Sequence, residues 1–296
     1  VEAEAIMKDF KGKVAVITGG ASGVGRALAF RFGREGAKIV IADIEQKALD
    51  RTLAELAAEK IEAIGVVTDV TKYESVDALA EKSFSHFGAV HLVFNNAGVG
   101  ASETPHVWEA PLTEWQWCFN VNLWGVIHGI KAFMPRLIAQ NTEAHIINTS
   151  SGNGGVVVMP MTPMYSATKA AVSAITEVLH MQLRAENSPI KVSTLYPGPN
   201  VVATGIYNSE RNRPQELTVA ESGAGKSVHS LEEMKEQMKQ MGVELQVTQP
   251  EEVADFAYDC LLKDMFWILP LREHTEKAAK VRFDNMMARR DPVSPM

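Results

Sequence analysis

Short apolar, β-branched runs alternate along this chain with longer stretches in which apolar residues recur every third or fourth position. The runs Val14–Thr18, Lys38–Asp43, Ala63–Thr68, Leu92–Asn95, His145–Thr149, Lys191–Leu195 and Phe266–Leu269 read as strands. Between them, residues near 23–35, 45–60, 72–87, 113–140, 165–186, 250–263 and 273–290 read as helices. VAVIT and IVIA are apolar throughout, as parallel strands covered on both faces should be. Strict strand–helix alternation predicts a single-domain Rossmann-type α/β fold. It is a doubly wound parallel sheet of about seven strands, with right-handed crossovers and helices on both faces. No internal repeat or low-complexity tract interrupts the alternation.

The rhythm fails from Gly198 to about Thr248, where the pattern offers no strand and the composition turns polar. Within that region Leu231, Met234, Met238 and Met241 share helical spacing, while Glu232, Glu233, Lys235 and Lys239 fall elsewhere. This is an amphipathic helix whose apolar stripe either packs on the core or lines a mobile substrate lid. Residues 1–296 then form one domain, with a tail at 1–9, a lid or insertion at 198–248 and a C-terminal extension at 273–296.

Composition narrows the function classes. Apolar residues make up 46% of the 296, enough for an extensive core and too many for a disordered chain. A net charge of −7 without a basic run argues against nucleic acid and membrane surfaces as partners. Cys118 and Cys260 are the only cysteines, which suits a reducing compartment without a disulfide framework. No stretch approaches the roughly 18 apolar residues of a membrane span. The acidic start VEAEAIMKDF is no secretory signal, so Met7 is a candidate natural start and a cytoplasmic protein is expected. The histidines are scattered, His180 within the long helix at 165–186, and none pairs with a cysteine at ligand spacing; no metal site is expected.

Candidate chemistry begins directly after the first strand, with Thr18-Gly19-Gly20-Ala21-Ser22-Gly23-Val24-Gly25 opening a helix. Small residues let the backbone turn tightly and bring a pyrophosphate to the helix N-terminus. Asp43 ends the second strand, where a carboxylate accepts both hydroxyls of an adenosine ribose and repels a 2′-phosphate. Ile44 and Glu45 follow it where a basic residue would favour the phosphate, so NAD is expected over NADP. A second glycine cluster, GAGKS at Gly223–Ser227, lacks both a preceding strand and the earlier glycine of a P-loop, with Ala220 in its place. Tyr165 and Lys169 lie one helical turn apart in YSATK, and an ammonium beside a phenol lowers the phenol's pKa towards a usable proton shuttle.

Together these motifs resemble the short-chain dehydrogenase/reductase family, closely from about Phe10 to Gly198 and loosely beyond. TGGASGVG is similar to the family's T-G-x3-G-x-G loop, Asn95-Asn96-Ala97-Gly98 to its N-N-A-G, and YSATK to its Y-x3-K. The resemblance implies that Gly19, Ser22, Gly23, Val24, Gly25, Asp43 and Ile44 hold the adenosine and pyrophosphate, and that Asp69 and Val70 meet the adenine. It further implies that Asn96, Ala97 and Gly98 floor the site and that the Pro197-Gly198 turn meets the nicotinamide. The family's threonine four residues after that glycine is replaced here by Val202, with Thr204 further on, so backbone groups of Val201 or Val202 are candidates to hold the carboxamide. The implied catalytic set is Asn122, Ser151, Tyr165 and Lys169. Tyr165 is the general acid/base, Lys169 lowers its pKa and holds the nicotinamide ribose, Ser151 polarises the substrate oxygen, and Asn122 holds a proton-relay water. Ser151 precedes Tyr165 by one residue more than is usual in the family, which leaves Ser150 as the alternative serine.

The run from Ser151 to Tyr165 borders the substrate pocket in this family. Val157, Met159, Met161 and Met164 would make it apolar and adaptable, with Trp108 and Tyr207 as aromatic walls. A bulky, mostly apolar secondary alcohol or ketone is the expected substrate. VNLWGVIHGIKAFMPRLIAQ and FWILPLREHTEKA also resemble bacterial Cα-dehydrogenases of lignin-derived aryl alcohols. The family implies a homodimer or homotetramer built on the helices near 113–140 and 165–186. The alternatives are an NADP-dependent carbonyl or ketoacyl reductase of the same fold and a non-catalytic NAD-sensing scaffold.

Overall fold

All seven expected strands form. In a computed structural model that describes residues 7, 9–218, 230–240, 242 and 244–295 they are β1 Val14–Thr18, β2 Lys38–Asp43, β3 Ala63–Val67, β4 Leu92–Asn95, β5 Ala144–Thr149, β6 Ile190–Leu195 and, after two short strands, β9 Trp267–Ile268. They make one parallel sheet in the order β3-β2-β1-β4-β5-β6-β9. The chain runs outward from β1 to β3, then returns to the other side of β1 for β4. The sheet therefore has its topological switch between β1 and β4, the crevice where ligands of open α/β sheets bind.

The helices are α1 Gly23–Arg34, α2 Gln46–Ala58, α3 Tyr73–Phe87, α4 Leu112–Phe119, α5 Gly125–Gln140, α6 Gly152–Gly155, α7 Pro163–Ala185, α8 Leu231–Gln240, α9 Pro250–Leu262 and α10 Glu273–Met287. Alternate residues of each strand feed opposite faces of the sheet. Ala15, Ile17, Ile39, Ile41 and Phe94 pack under α1, α2 and α9 with Leu28, Phe32, Leu49 and Ala257. Val14, Val16, Val40, Val93 and Ile146 pack on the other face against α3, α5 and α7, with Leu79, Phe133, Leu137 and Leu183. Burial on both faces is why β1 and β2 read as unbroken apolar runs.

Four expectations need correction. The helix expected over 113–140 is two helices joined by a π-turn at Asn120–Trp124, an i→i+5 widening that leaves the apolar period too little changed to read. The region 198–248 does hold strands: β7 Val201–Val202 and β8 Val247–Thr248 pair as a separate parallel ribbon. Two-residue strands carry no periodicity to detect. The tail at 1–9 is not wholly peripheral, since Met7 is buried in the core with Phe10. No residue of α8 is buried, so Leu231, Met234 and Met238 are at most partly covered. Residues 1–6, Met241 and the GAGKS cluster at Gly223–Ser227 lie outside the described residues. No helix among the described residues is long and apolar enough to cross a membrane, and no cluster of three or more His, Cys, Asp or Glu there could hold a metal ion.

Candidate active site

One hydroxyl joins the two strands that flank the switch point. Thr18 Oγ1, at the end of β1, donates to the Phe94 carbonyl of β4 at 3.2 Å and accepts from the backbone N–H groups of Asn96 and Ala97 at 3.0 and 3.1 Å. Asn96 Nδ2 returns a bond to the Thr18 carbonyl at 3.0 Å. The strand-end motifs TGG and NNAG are thus two halves of one clamp.

The glycine loop leaves the start of α1 without a side-chain cap. Ser22 is the extended N-cap of α1 but makes no side-chain cap bond, and the first turn carries no acidic residue. The leading N–H groups of α1 therefore have no side-chain acceptor within the loop. Gly25 approaches the loop so closely that a Cβ there would lie 2.1 Å from the Gly19 carbonyl oxygen. Asp43 closes the far end of the loop, its carboxylate accepting from Ala21 N at 3.2 Å and Glu45 N at 3.1 Å. Burial raises its pKa, with those backbone bonds opposing. An uncapped helix start, a close-packed glycine and a carboxylate held by backbone N–H groups fit an adenine dinucleotide, with the pyrophosphate at Ser22–Gly25 and the ribose at Asp43.

Asp69 is already engaged. Thr71 donates to it from its backbone N–H and its hydroxyl, and Lys72 lies 3.2 Å away. These contacts outweigh burial and leave the Asp69 pKa below its usual range. Val70 packs on α5, its side chain against Gly125 and its carbonyl against His128 Nδ1 at 2.9 Å. Ile44 is exposed at the crevice rim. Val201 and Val202 belong to the small ribbon, with Ala203 N donating to the Thr248 carbonyl.

The four catalytic candidates lie around the ends of β4 and β5 and on the helices that follow. Successive residues of an extended strand face opposite ways, and this separates the two serines. Ser150 is buried and turned inward, donating to the Lys169 carbonyl and meeting Ser173 Oγ, both at 2.8 Å. Ser151 lies beside the Tyr165 phenol, its Oγ accepting from Asn153 N at 3.2 Å. Lys169 is 3% exposed, donates from Nζ to the Thr149 carbonyl at 2.9 Å, and lies 5.6 Å from the Tyr165 ring centroid. Burial pulls the Lys169 pKa down to about 8. Burial also pushes the Tyr165 phenol up to about 12, neighbouring Ser151 opposing it. In the dinucleotide-free protein desolvation of the phenolate dominates, before any nicotinamide charge is added.

Asn122 sits in the π-turn, fully buried. Its Oδ1 accepts from Val99 N at 2.8 Å, and its Nδ2 donates to Val99 O at 3.0 Å and to Cys118 Sγ at 3.3 Å. The amide is spent on pinning the chain after β4, so a relay water would fall to backbone groups of the π-turn. Cys118 is buried against Asn122 and Thr168, and burial pushes its thiol up to about 11. Gly98 faces both groups: a Cβ there would lie 3.2 Å from Asn122 Oδ1 and 3.6 Å from Lys169 Nζ.

The pocket candidates divide. Met164 is fully buried, Val157 and Met159 are half-buried, and Met161 is exposed on the loop before α7. Trp108 points outward at 77% exposure, stacked on His106. Tyr207 is half-buried, its phenol pushed up to about 12 by burial and by neighbouring Tyr165. Asn153, which the sequence reading passed over, shapes this loop. Its amide donates to Thr162 Oγ1 and accepts from Ser166 Oγ and Met159 N.

Within the expected lid or insertion at 198–248, residues 204–213 form a strap along the crevice whose contacts the sequence did not reveal. It starts at Thr204, whose Cγ2 would be 3.0 Å from a Cβ on Gly23. It reaches Glu45 through Arg211 and Asn212, and ends with Arg213 against Glu114 at 2.6 Å and over the Trp117 ring at 3.9 Å. The partners lie too far apart in sequence for spacing to signal them. The only hint was that arginines cluster in SERNRPQEL.

The chain matches the model of the short chain dehydrogenase family over residues 13–215. A short chain dehydrogenase/reductase from Burkholderia phymatum, solved in complex with NAD, superposes with a TM-score of 0.87 at 38% identity, covering 98% of this chain and 99% of that one. The C alpha-dehydrogenase of a Sphingobium strain is 33% identical over 98% of this chain and 89% of its own length. The apo form of LigD from Sphingobium gives a TM-score of 0.74 at 29% identity, covering 96% of this chain and all of that one.

Proposed function

The chain belongs to the short-chain dehydrogenase family, and from that premise we propose that it transfers a hydride between NAD and a bulky, mostly apolar secondary alcohol or its ketone. The observation that carries this reading is the buried Lys169 ammonium 5.6 Å from the Tyr165 ring centroid, with Ser151 beside the same phenol. Two hydroxyls, one able to give a proton and one to stabilise charge, face a single substrate oxygen.

When bound, NAD supplies the hydride acceptor and, as NAD+, a positive ring beside the phenol. Tyr165 gives its proton to the carbonyl in reduction and takes the alcohol proton in oxidation. With burial holding the free phenol at about 12, oxidation needs nearby positive charge, and Lys169 is the side chain in place to supply it. Ser151 donates to the substrate oxygen as negative charge builds there. Lys169, which donates to the Thr149 carbonyl, would hold the ribose hydroxyls at the nicotinamide end of the crevice.

NAD over NADP rests on Asp43, and the relative solved with NAD supports it. An apolar substrate fits Val157, Met159 and Met161 on the loop before α7, and the similarity to a C alpha-dehydrogenase favours an aryl-substituted carbinol. Exposed Ile138, Val178 and Met181 on α5 and α7 support self-association through those helices.

Parallel titration with NADH and NADPH, read by nicotinamide fluorescence, is the test. Tight NADH and weak NADPH binding is expected, followed by turnover of an aryl carbinol with NAD+ that Tyr165→Phe removes. Failure to bind either dinucleotide would overturn the reading.

A further inference from the structure

We propose that Glu45 is a second determinant of dinucleotide choice, acting on the strap rather than on the ribose; the inference rests on the NAD reading above. Glu45 follows Asp43 by two residues, and its backbone N–H donates to the Asp43 carboxylate at 3.1 Å. Its own side chain reaches the strap: Arg211 donates to Oε1 from Nε at 3.0 Å and from Nη2 at 2.8 Å, and Asn212 Nδ2 adds a third bond to that oxygen at 2.8 Å. The remaining guanidinium nitrogen, Nη1, is held by the carbonyls of Gly205 and Asn208. Arg211 is thus a cation brought next to the ribose end of the crevice with every nitrogen already committed.

The arrangement has a chemical consequence. A 2′-phosphate needs a guanidinium or ammonium beside the ribose, and Arg211 is the strap side chain that reaches that end. Glu45 neutralises it and fixes its fork geometry away from an incoming phosphate. The chain then rejects NADP twice, by repulsion from Asp43 and by masking Arg211. Thr204 at Gly23 and Arg213 at Glu114 anchor the strap on either side of this contact, so Arg211 stays beside β2 when Glu45 is altered.

The experiment is NADH and NADPH titration by fluorescence on wild type, Glu45→Gln, Asp43→Ala and the pair Glu45→Gln/Arg211→Ala. Glu45→Gln is expected to tighten NADPH about tenfold while NADH changes by less than about threefold, and adding Arg211→Ala should erase that gain. Asp43→Ala alone should leave NADPH the weaker ligand. Glu45→Ser, at a half-exposed position, repeats the test should the glutamine variant fold poorly. NADH binding to wild type with an unchanged NADPH-to-NADH ratio in both Glu45 variants would overturn this inference alone. A gain in NADPH affinity that persists without Arg211 would also overturn it. Absence of binding by either dinucleotide to wild type would overturn the NAD reading and this inference with it.

Discussion

Gly129 lies against the side-chain oxygen of Asn95: a Cβ on that glycine would sit 1.9 Å from Asn95 Oδ1. Asn95 is buried at the end of β4, its Nδ2 donating to Asn148 Oδ1 at 2.8 Å, while Asn148 Nδ2 passes a bond to Thr176 on α7. Oδ1 has no hydrogen-bond partner of its own among the described residues. The amide cannot retreat without breaking a chain that links β4, β5 and α7. Gly129→Ala is expected to cost at least about 2 kcal/mol, as overpacking of a rigid interior does. Urea unfolding of the variant checks this, and a loss under about 0.5 kcal/mol would show that α5 can shift.

The two adjacent serines should part company on mutation. Ser151→Ala removes a donor from the reacting oxygen and should lower kcat by about 100-fold with little change in Tm. Ser150→Ala removes buried bonds to Lys169 and Ser173, and should cost about 1 kcal/mol of stability with a smaller effect on kcat. Reversal of that pattern in side-by-side kinetics and melting would reassign the catalytic serine.

Much of this site was legible because its parts are local. Thr18 to Gly25, Asn95 to Gly98 and Tyr165 to Lys169 each span a few residues, and each sits where a strand or helix end fixes its direction. Apolar runs placed every strand of the main sheet within about a residue. Ser151 was named through the resemblance with Ser150 as the alternative, because spacing alone cannot say which of two neighbours faces the crevice. The strap's contacts, within the expected 198–248 insertion, were invisible for a different reason. Its arginines answer to Glu45 and Glu114, and long-range ion pairs leave no period in the chain. The spent amide of Asn122 was hidden because it depends on the π-turn, which no residue type in the stretch announces.

Arg213 and Glu114 form a buried ion pair, at 4% and 1% side-chain exposure. Arg213 is also paired with Glu210, so removing Arg213 is the change that strips buried Glu114 of its guanidinium. Arg213→Ala should therefore destabilise by about 3 kcal/mol and, by freeing the strap, raise KM for the bulky substrate. Arg213→Met with Glu114→Gln should recover part of the stability. Chemical denaturation of single and double variants measures the coupling, and strictly additive losses would argue against it.

Lys169 predicts a pH signature in the dinucleotide-free protein. Its folded pKa, about 8, lies below the unfolded value near 10.4, so the unfolded state binds more protons between those limits and stability rises with pH across them. Below pH 8 the full cost of a buried ammonium is present. Lys169→Met lacks that cost, so the variant's stability relative to wild type should fall from pH 8 to pH 10. Denaturation curves at pH 7, 8, 9 and 10 follow the difference, and a flat profile would mean that the ammonium is well solvated.

The π-turn at Asn120–Trp124 sets a condition of another kind. One residue corresponds to about 100° of helical rotation, so the extra residue here swings everything after it about the axis. Ahead of the turn, Trp117 faces Val99 and Leu217; beyond it, Ala132, Phe133 and Leu137 face the layer under the sheet. A deletion of one residue between Phe119 and Gly125 would turn one of those sets towards water, and no side-chain replacement could turn it back. What this stretch must keep is its residue count, more than the identity of most of its residues.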